Sequence, residues 1–192
     1  MKTNRLYKIL RVILVPIFKF IYRYEIVNEE YIPKEGRIII AGNHKHALDP
    51  TLVISSTKRV IHFMVKRELH EGLIGFFLKR LATIPIDRTK KNVSATNSAI
   101  QVLENEEPLG MFPEGTRNKT DKSIMNFRHG AVSLASKTNS PIIPFAITGT
   151  FKPFKKGLKI TYGEHFYVND MDISKANELL MKKVTEMIQA RN

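Results

Sequence analysis

From residue 37 onward, short apolar runs alternate with segments of helical spacing, and this alternation limits the possible folds more than any other feature. The strand-like runs are RIIIAG (37–42), VIHFMV (60–65), TIPI (83–86), PLGMF (108–112), PIIPFAIT (141–148) and GLKITYG (157–163). Helical patterns occupy 49–59, 71–82, 93–105, 127–138 and 174–190, the second of them apolar enough to be buried. Strands that alternate with helices predict an α/β domain with a mixed, largely parallel sheet flanked by helices. Hydrophobic residues make up 43% of the 192, enough for one such core. There is no internal repeat, low-complexity tract or long linker. The longest polar stretch, RNKTDKSIMNF (117–127), is expected to form a mobile flap.

The first 28 residues are set apart from this domain, which is expected to span 29–192. Within 1–24, apolar residues recur at Leu6, Leu10, Ile13, Ile17, Phe20 and Tyr24, the spacing of one helix face. Lys8, Arg11, Lys19 and Arg23 lie mostly off that face. The uninterrupted apolar run, 12–18, is far shorter than the ~20 residues needed to cross a bilayer. Cations follow it and no small-residue cleavage site is present, unlike a signal peptide. The pattern suits an amphipathic helix lying in the membrane interface, with cations toward lipid phosphates. An ordinary helix packed on its own core has the same pattern. Pro16 is expected to kink the helix or split it in two.

Two composition facts narrow the chemistry. The chain has no cysteine, so disulfides, thiolate zinc sites and a cysteine acyl-enzyme are excluded. The formal net charge is +13, which calls for an anionic partner: nucleic acid, a phosphorylated small molecule or an anionic membrane surface. The cations are dispersed rather than interleaved with aromatics, and no nucleic-acid motif is present, so no nucleic-acid partner is expected. The remaining histidines and carboxylates lack ligand spacing, so no metal is expected.

The stretch AGNHKHALDPTL (41–52) follows the first strand-like run, and functional residues in open α/β sheets gather at the carboxyl ends of strands. His44 and Asp49 are five residues apart, which on a continuous helix places them about 140° apart. They meet only if the chain turns, and Gly42 and the Asp49-Pro50 pair allow a turn. A histidine held by a carboxylate is a general base of fixed tautomer. Such a base can act on a substrate hydroxyl, so the chain needs no nucleophile of its own. In the blander reading His44 is structural and Asp49 caps the helix that Pro50 opens.

A second stretch, GMFPEGTRN (110–118), puts a turn, a hydroxyl and a guanidinium in Glu114, Gly115, Thr116 and Arg117. Such a turn can offer amides to an anion, with arginine gripping a phosphate in a bidentate fork. It can equally be a plain surface turn. A third stretch, ATIPIDR (82–88), ends in Arg88, a further phosphate candidate or simply a solvated cation.

Together and in this order, NHKHALD (43–49), IPIDR (84–88), FPEGTR (112–117) and PIIPFAI (141–147) resemble the glycerolipid acyltransferase family, in particular the bacterial 1-acylglycerol-3-phosphate O-acyltransferases. The resemblance covers about 38–147. It implies transfer of an acyl group from acyl-CoA or acyl-carrier protein to the free sn-2 hydroxyl of 1-acylglycerol-3-phosphate, giving phosphatidic acid without a cofactor. His44 would be the base and Asp49 would orient it. Glu114, Gly115, Thr116 and Arg117, with Arg88, would hold the glycerol phosphate, and Asn43 and Lys66 would lie at the binding site. The protein is expected to be monotopic or peripheral at the cytoplasmic face of the cell membrane, in contact with anionic lipids. Three positions depart from the family pattern. His46 replaces a usual Ser and is a rival base, Ala82 replaces a usual Gly, and Arg128 replaces a common Lys. Arg67, Lys79 and Arg80 read as a solvated helix face, and His62, His70, His129 and His165 as structural or exposed.

Overall fold

The computed structural model describes residues 5–71, 75, 82–87, 93–169 and 171–190. Seven strands form one sheet: β1 (Glu25–Val27), β2 (Ile38–Gly42), β3 (His62–Lys66), β4 (Thr83–Ile86), β5 (Pro108–Met111), β6 (Ile142–Thr148) and β7 (Lys159–Tyr162). Their order is β1-β7-β6-β2-β5-β3-β4. All neighbours are parallel except β6 and β7, so the expected mixed, largely parallel sheet is present.

Both faces of the sheet are covered, which is why β2 is apolar without alternation and wholly buried. Ile39 and Ala41 face one core, shared with α3 (Val93–Glu104), α4 (Gly130–Thr138) and α5 (Ile173–Gln189). Ile38 and Ile40 face the other, with Phe18 of α1 (Arg5–Tyr22) and Leu52 and Val53 of α2 (Asp49–Ser55). The region 71–82, expected as a buried helix, lies almost entirely outside the described residues, as do Lys79 and Arg80.

Helix α2 ends at Ser55 rather than running to 59. The hydroxyls of Ser55 and Ser56 both donate to the Leu52 carbonyl, competing with the helix ladder. Helix α5 starts at an Asp172 cap that accepts from the amides of Ser174 and Lys175.

Helix α1 runs unbroken through Pro16, so of the expected kink or split the split does not occur. The carbonyl that Pro16 leaves without a helix donor belongs to Val12, a residue that is 70% exposed. The apolar residues also divide between two faces. Tyr7 and Phe18 pack inward, whereas Ile9, Val12, Ile13, Ile17 and Phe20 are exposed along one stripe. The sheet begins within the first 28 residues, because β1 pairs in parallel with β7. No helix among the described residues is long and apolar enough to cross a membrane.

The topology places a crevice. From β2 the chain crosses over to β3 and β4, then returns with β5 to lie beside β2. The parallel neighbours β2 and β5 thus feed helices on opposite faces, α2 on one and α4 on the other. Their carboxyl ends form the switch point at which open α/β sheets take ligands.

Candidate active site

Residues 43–49 leave β2 at that switch point and turn back on themselves. Gly42 is required here: a β-carbon on it would lie 2.1 Å from the Phe145 carbonyl oxygen of β6. The turn brings His44 Nδ1 to 2.9 Å from Asp49 Oδ2. The same oxygen accepts the backbone amides of Lys45 and His46, each at 2.7 Å. Asp49 is fully buried at the first turn of α2, next to Pro50. Its carboxylate reaches back to the 44–46 turn, so it does not cap the helix amides. Leu48 occupies the cap position and makes no side-chain bond there.

A carboxylate can only accept, so Nδ1 of His44 carries the proton and Nε2 keeps its lone pair. Among the described residues no group bonds Nε2. The ring stacks on Phe112 with centroids 4.1 Å apart, which sets its plane. His44 retains 13% side-chain exposure, a narrow opening rather than burial.

The 112–118 stretch grips the backbone of His44 from both sides. The His44 amide donates to Glu114 Oε1 at 2.7 Å, and the Asn118 amide donates to the His44 carbonyl at 2.6 Å. Glu114 Oε2 accepts the Met125 amide at 3.0 Å. Burial raises the Glu114 carboxyl above the ordinary carboxylate range, and these two amides partly offset the rise. Glu114 is 2% exposed with both oxygens engaged. It is therefore a brace for the histidine turn, and the expectation that it grips the acceptor is corrected.

Asn43 is corrected in the same way. Its amide group donates to the Ile147 carbonyl at 2.9 Å and accepts the Ile147 amide at 2.7 Å. At 1% exposure it extends the pairing of β2 with β6 past the strand end and is sealed from any ligand. His46 turns away as well. Its ring stacks on Phe151 at 4.4 Å, and its Nδ1 accepts the Leu48 amide, so it is not placed as the base.

Gly115 adopts φ 73 with the Arg128 guanidinium against it; a β-carbon would meet Arg128 Nε at 2.7 Å. Thr116 and Arg117 follow and are exposed. Lys66 ends the parallel strand β3 on the same edge, exposed and 3.1 Å from Glu68. Arg88 lies outside the described residues. Ala82, at a usual glycine position of the family, has φ 57, the left-handed backbone that favours glycine.

The expected flap at 117–127 is tied down. Asn118 is buried, and its side chain bonds Thr120 and the Lys122 carbonyl. Beside the site, Met64, Ile86, Met111, Phe112, Arg128 and Ala131 line part of a largely apolar pocket of about 240 Å³. His62 and His70 are buried structural residues, and His129 and His165 are exposed.

Comparison with known proteins gives one consistent answer. The family model described as Acyltransferase matches residues 23–148. The chain is 32% identical over 173 residues to the 1-acyl-sn-glycerol-3-phosphate acyltransferase of Bacillus subtilis, covering 87% of this chain and 85% of that protein. It is 28% identical over 170 residues to the enzyme of that name from Borreliella burgdorferi, covering 85% of this chain and 68% of that one. The fold superposes on the crystal structure of the 1-acyl-sn-glycerophosphate acyltransferase PlsC from Thermotoga maritima. That match has a TM-score of 0.78 and 21% identity, over 97% of this chain and 78% of that one.

Proposed function

As this chain belongs to the acyltransferase family, we propose that it transfers an acyl group from an acyl thioester to the free sn-2 hydroxyl of 1-acylglycerol-3-phosphate, giving phosphatidic acid. The observation that carries the chemistry is the His44–Asp49 contact at 2.9 Å, which engages Nδ1 and leaves the Nε2 lone pair available on a side chain that is not fully buried. Nε2 takes the hydroxyl proton as the oxygen attacks the thioester carbonyl. The tetrahedral intermediate then expels the thiolate, which recovers that proton from the imidazolium. Asp49 stabilises the imidazolium throughout, and no covalent enzyme intermediate or cofactor is needed.

Phosphate of the acceptor is taken by the exposed Thr116 and Arg117, with Lys66 and, from the family resemblance, Arg88. The apolar pocket bounded by Phe112, which also stacks on His44, suits the first carbons of an acyl chain. Acyl-CoA and acyl-carrier protein both supply the thioester chemistry required of the donor.

We place the protein at the cytoplasmic face of the cell membrane as a monotopic or peripheral protein, and the exposed stripe on α1 supports its lying in a membrane interface. Ile9, Val12, Ile13, Ile17 and Phe20 follow i, i+3, i+4 spacing with no carboxylate on the helix. The test supplies one acyl-CoA and, in turn, 1-acylglycerol-3-phosphate, glycerol-3-phosphate and a lysophospholipid with a larger headgroup. Preferential formation of phosphatidic acid is expected. Faster turnover of either alternative acceptor would replace the substrate assignment.

A further inference from the structure

The loop joining β6 to β7 takes no part in the chemistry above, yet its composition is unusual. It reads GTFKPFKKG over 149–157, and no carboxylate occurs from 148 to 163. Residues 152–156 are all exposed. Phe154 holds φ 60, a backbone that bulky side chains rarely adopt, and is 55% exposed. Its amide bonds the Ile21 carbonyl near the end of α1. Its ring meets Phe20 edge-on, with centroids 5.9 Å apart. Phe154 therefore prolongs the apolar stripe of α1 beyond the helix. Lys152, Lys155 and Lys156 flank it in sequence, and none of them is in an ion pair among the described residues.

We infer that this loop is a second docking element for an anionic phospholipid surface. Phe154 seats in the interface beside Phe20, and Lys152, Lys155 and Lys156 meet lipid phosphates. The inference rests on α1 being an interfacial helix. An aromatic tip continuous with that helix's apolar stripe, flanked in sequence by cations and free of carboxylates, is complementary to an anionic bilayer. An acidic protein partner would use the lysines but would leave the continuous stripe uncovered. The loop also carries Phe151, which stacks on His46 at 4.4 Å and meets Tyr22 edge-on at 5.4 Å. Seating the loop thus fixes the height of the 43–49 turn above the headgroups, where a membrane-borne acceptor presents its hydroxyl.

The test measures binding of the full chain to phosphatidylcholine vesicles with and without phosphatidylglycerol, over a salt series. It uses the triple variant Lys152→Gln, Lys155→Gln, Lys156→Gln and, separately, Phe154→Asn, since Asn tolerates φ 60. The triple variant is expected to bind anionic vesicles roughly a hundredfold more weakly, with a flatter salt dependence. Phe154→Asn is expected to weaken binding to both vesicle types by about tenfold. Turnover of a short-chain acceptor in detergent should stay at the wild-type level in both. If wild type binds anionic vesicles and the variants bind equally well, the loop inference is wrong while α1 keeps its role. If wild type binds neither vesicle, the interfacial reading of α1 fails and the loop inference with it. If the variants keep vesicle affinity but lose turnover only with an acyl-carrier-protein donor, the loop is a carrier-protein surface, and the lipid assignment is overturned.

Discussion

The backbone amide of His44 donates to Glu114 Oε1 at 2.7 Å, across 70 residues of sequence. One buried carboxylate thereby joins the two motif-bearing loops at the switch point, since its other oxygen holds the Met125 amide. The position of the base depends on the second loop as much as on its own.

Replacing Glu114 tests that dependence. Glu114→Gln keeps one acceptor oxygen but turns an NH2 group toward a backbone N–H, so one brace is lost. Misplacing the base should lower kcat by about tenfold to a hundredfold with little change in KM for the acceptor. A Glu114 that gripped the acceptor directly would raise KM instead, and steady-state kinetics separate the two.

Asn43 is expected to matter for stability. In Asn43→Ala the Ile147 N–H and C=O lose their partners in a buried setting, at a cost of about 2 kcal/mol. For a chain of this size that corresponds to a Tm lower by about 4–8 °C. A thermal melt checks it, and an unchanged Tm with a raised acceptor KM would return Asn43 to the binding site.

The two neighbouring histidines should behave differently. His46→Ala removes a stack on Phe151 and nothing from the Asp49 side-chain pair, so activity should stay within about tenfold of wild type. Loss of activity as complete as in His44→Ala would mean that the base has been misassigned between them.

Acid should weaken the fold through His62. This side chain is 3% exposed, and its Nε2 lies 2.8 Å from Glu107 Oε2. Burial lowers its pKa below the ordinary 6.5, and Glu107 only partly offsets that. The folded state therefore favours neutral imidazole. The associated stability is present above about pH 6.5 and is lost as pH falls through 6.5 toward the lowered folded value. Urea midpoints should drop between about pH 7.5 and 5.5 in wild type, and less in His62→Gln. Equal drops would place the acid sensitivity elsewhere.

What could be read from the sequence was what is local. Apolar runs such as IIIAG specify buried strands, and the five-residue gap from His44 to Asp49-Pro50 already contains the histidine–carboxylate pair. The roles of Asn43 and Glu114 were hidden because their partners, Ile147 and Met125, are brought to them only by the strand order and the path of the second loop. Strand β1 was missed because three residues carry no period of their own and depend on β7. The apolar pattern of α1 was visible, but its division into a packed face and an exposed stripe is set by what the helix packs against.

The central claim is that Asp49-oriented His44 deprotonates the acceptor hydroxyl. The most direct measurement is acyl transfer to 1-acylglycerol-3-phosphate by wild type, His44→Ala and Asp49→Asn, following thiol release and phosphatidic acid together, with a thermal melt of each protein. Wild-type turnover is expected, with kcat reduced by roughly a thousandfold or more in His44→Ala and about a hundredfold or more in Asp49→Asn, in folded protein. Substantial phosphatidic acid from folded His44→Ala would contradict the account.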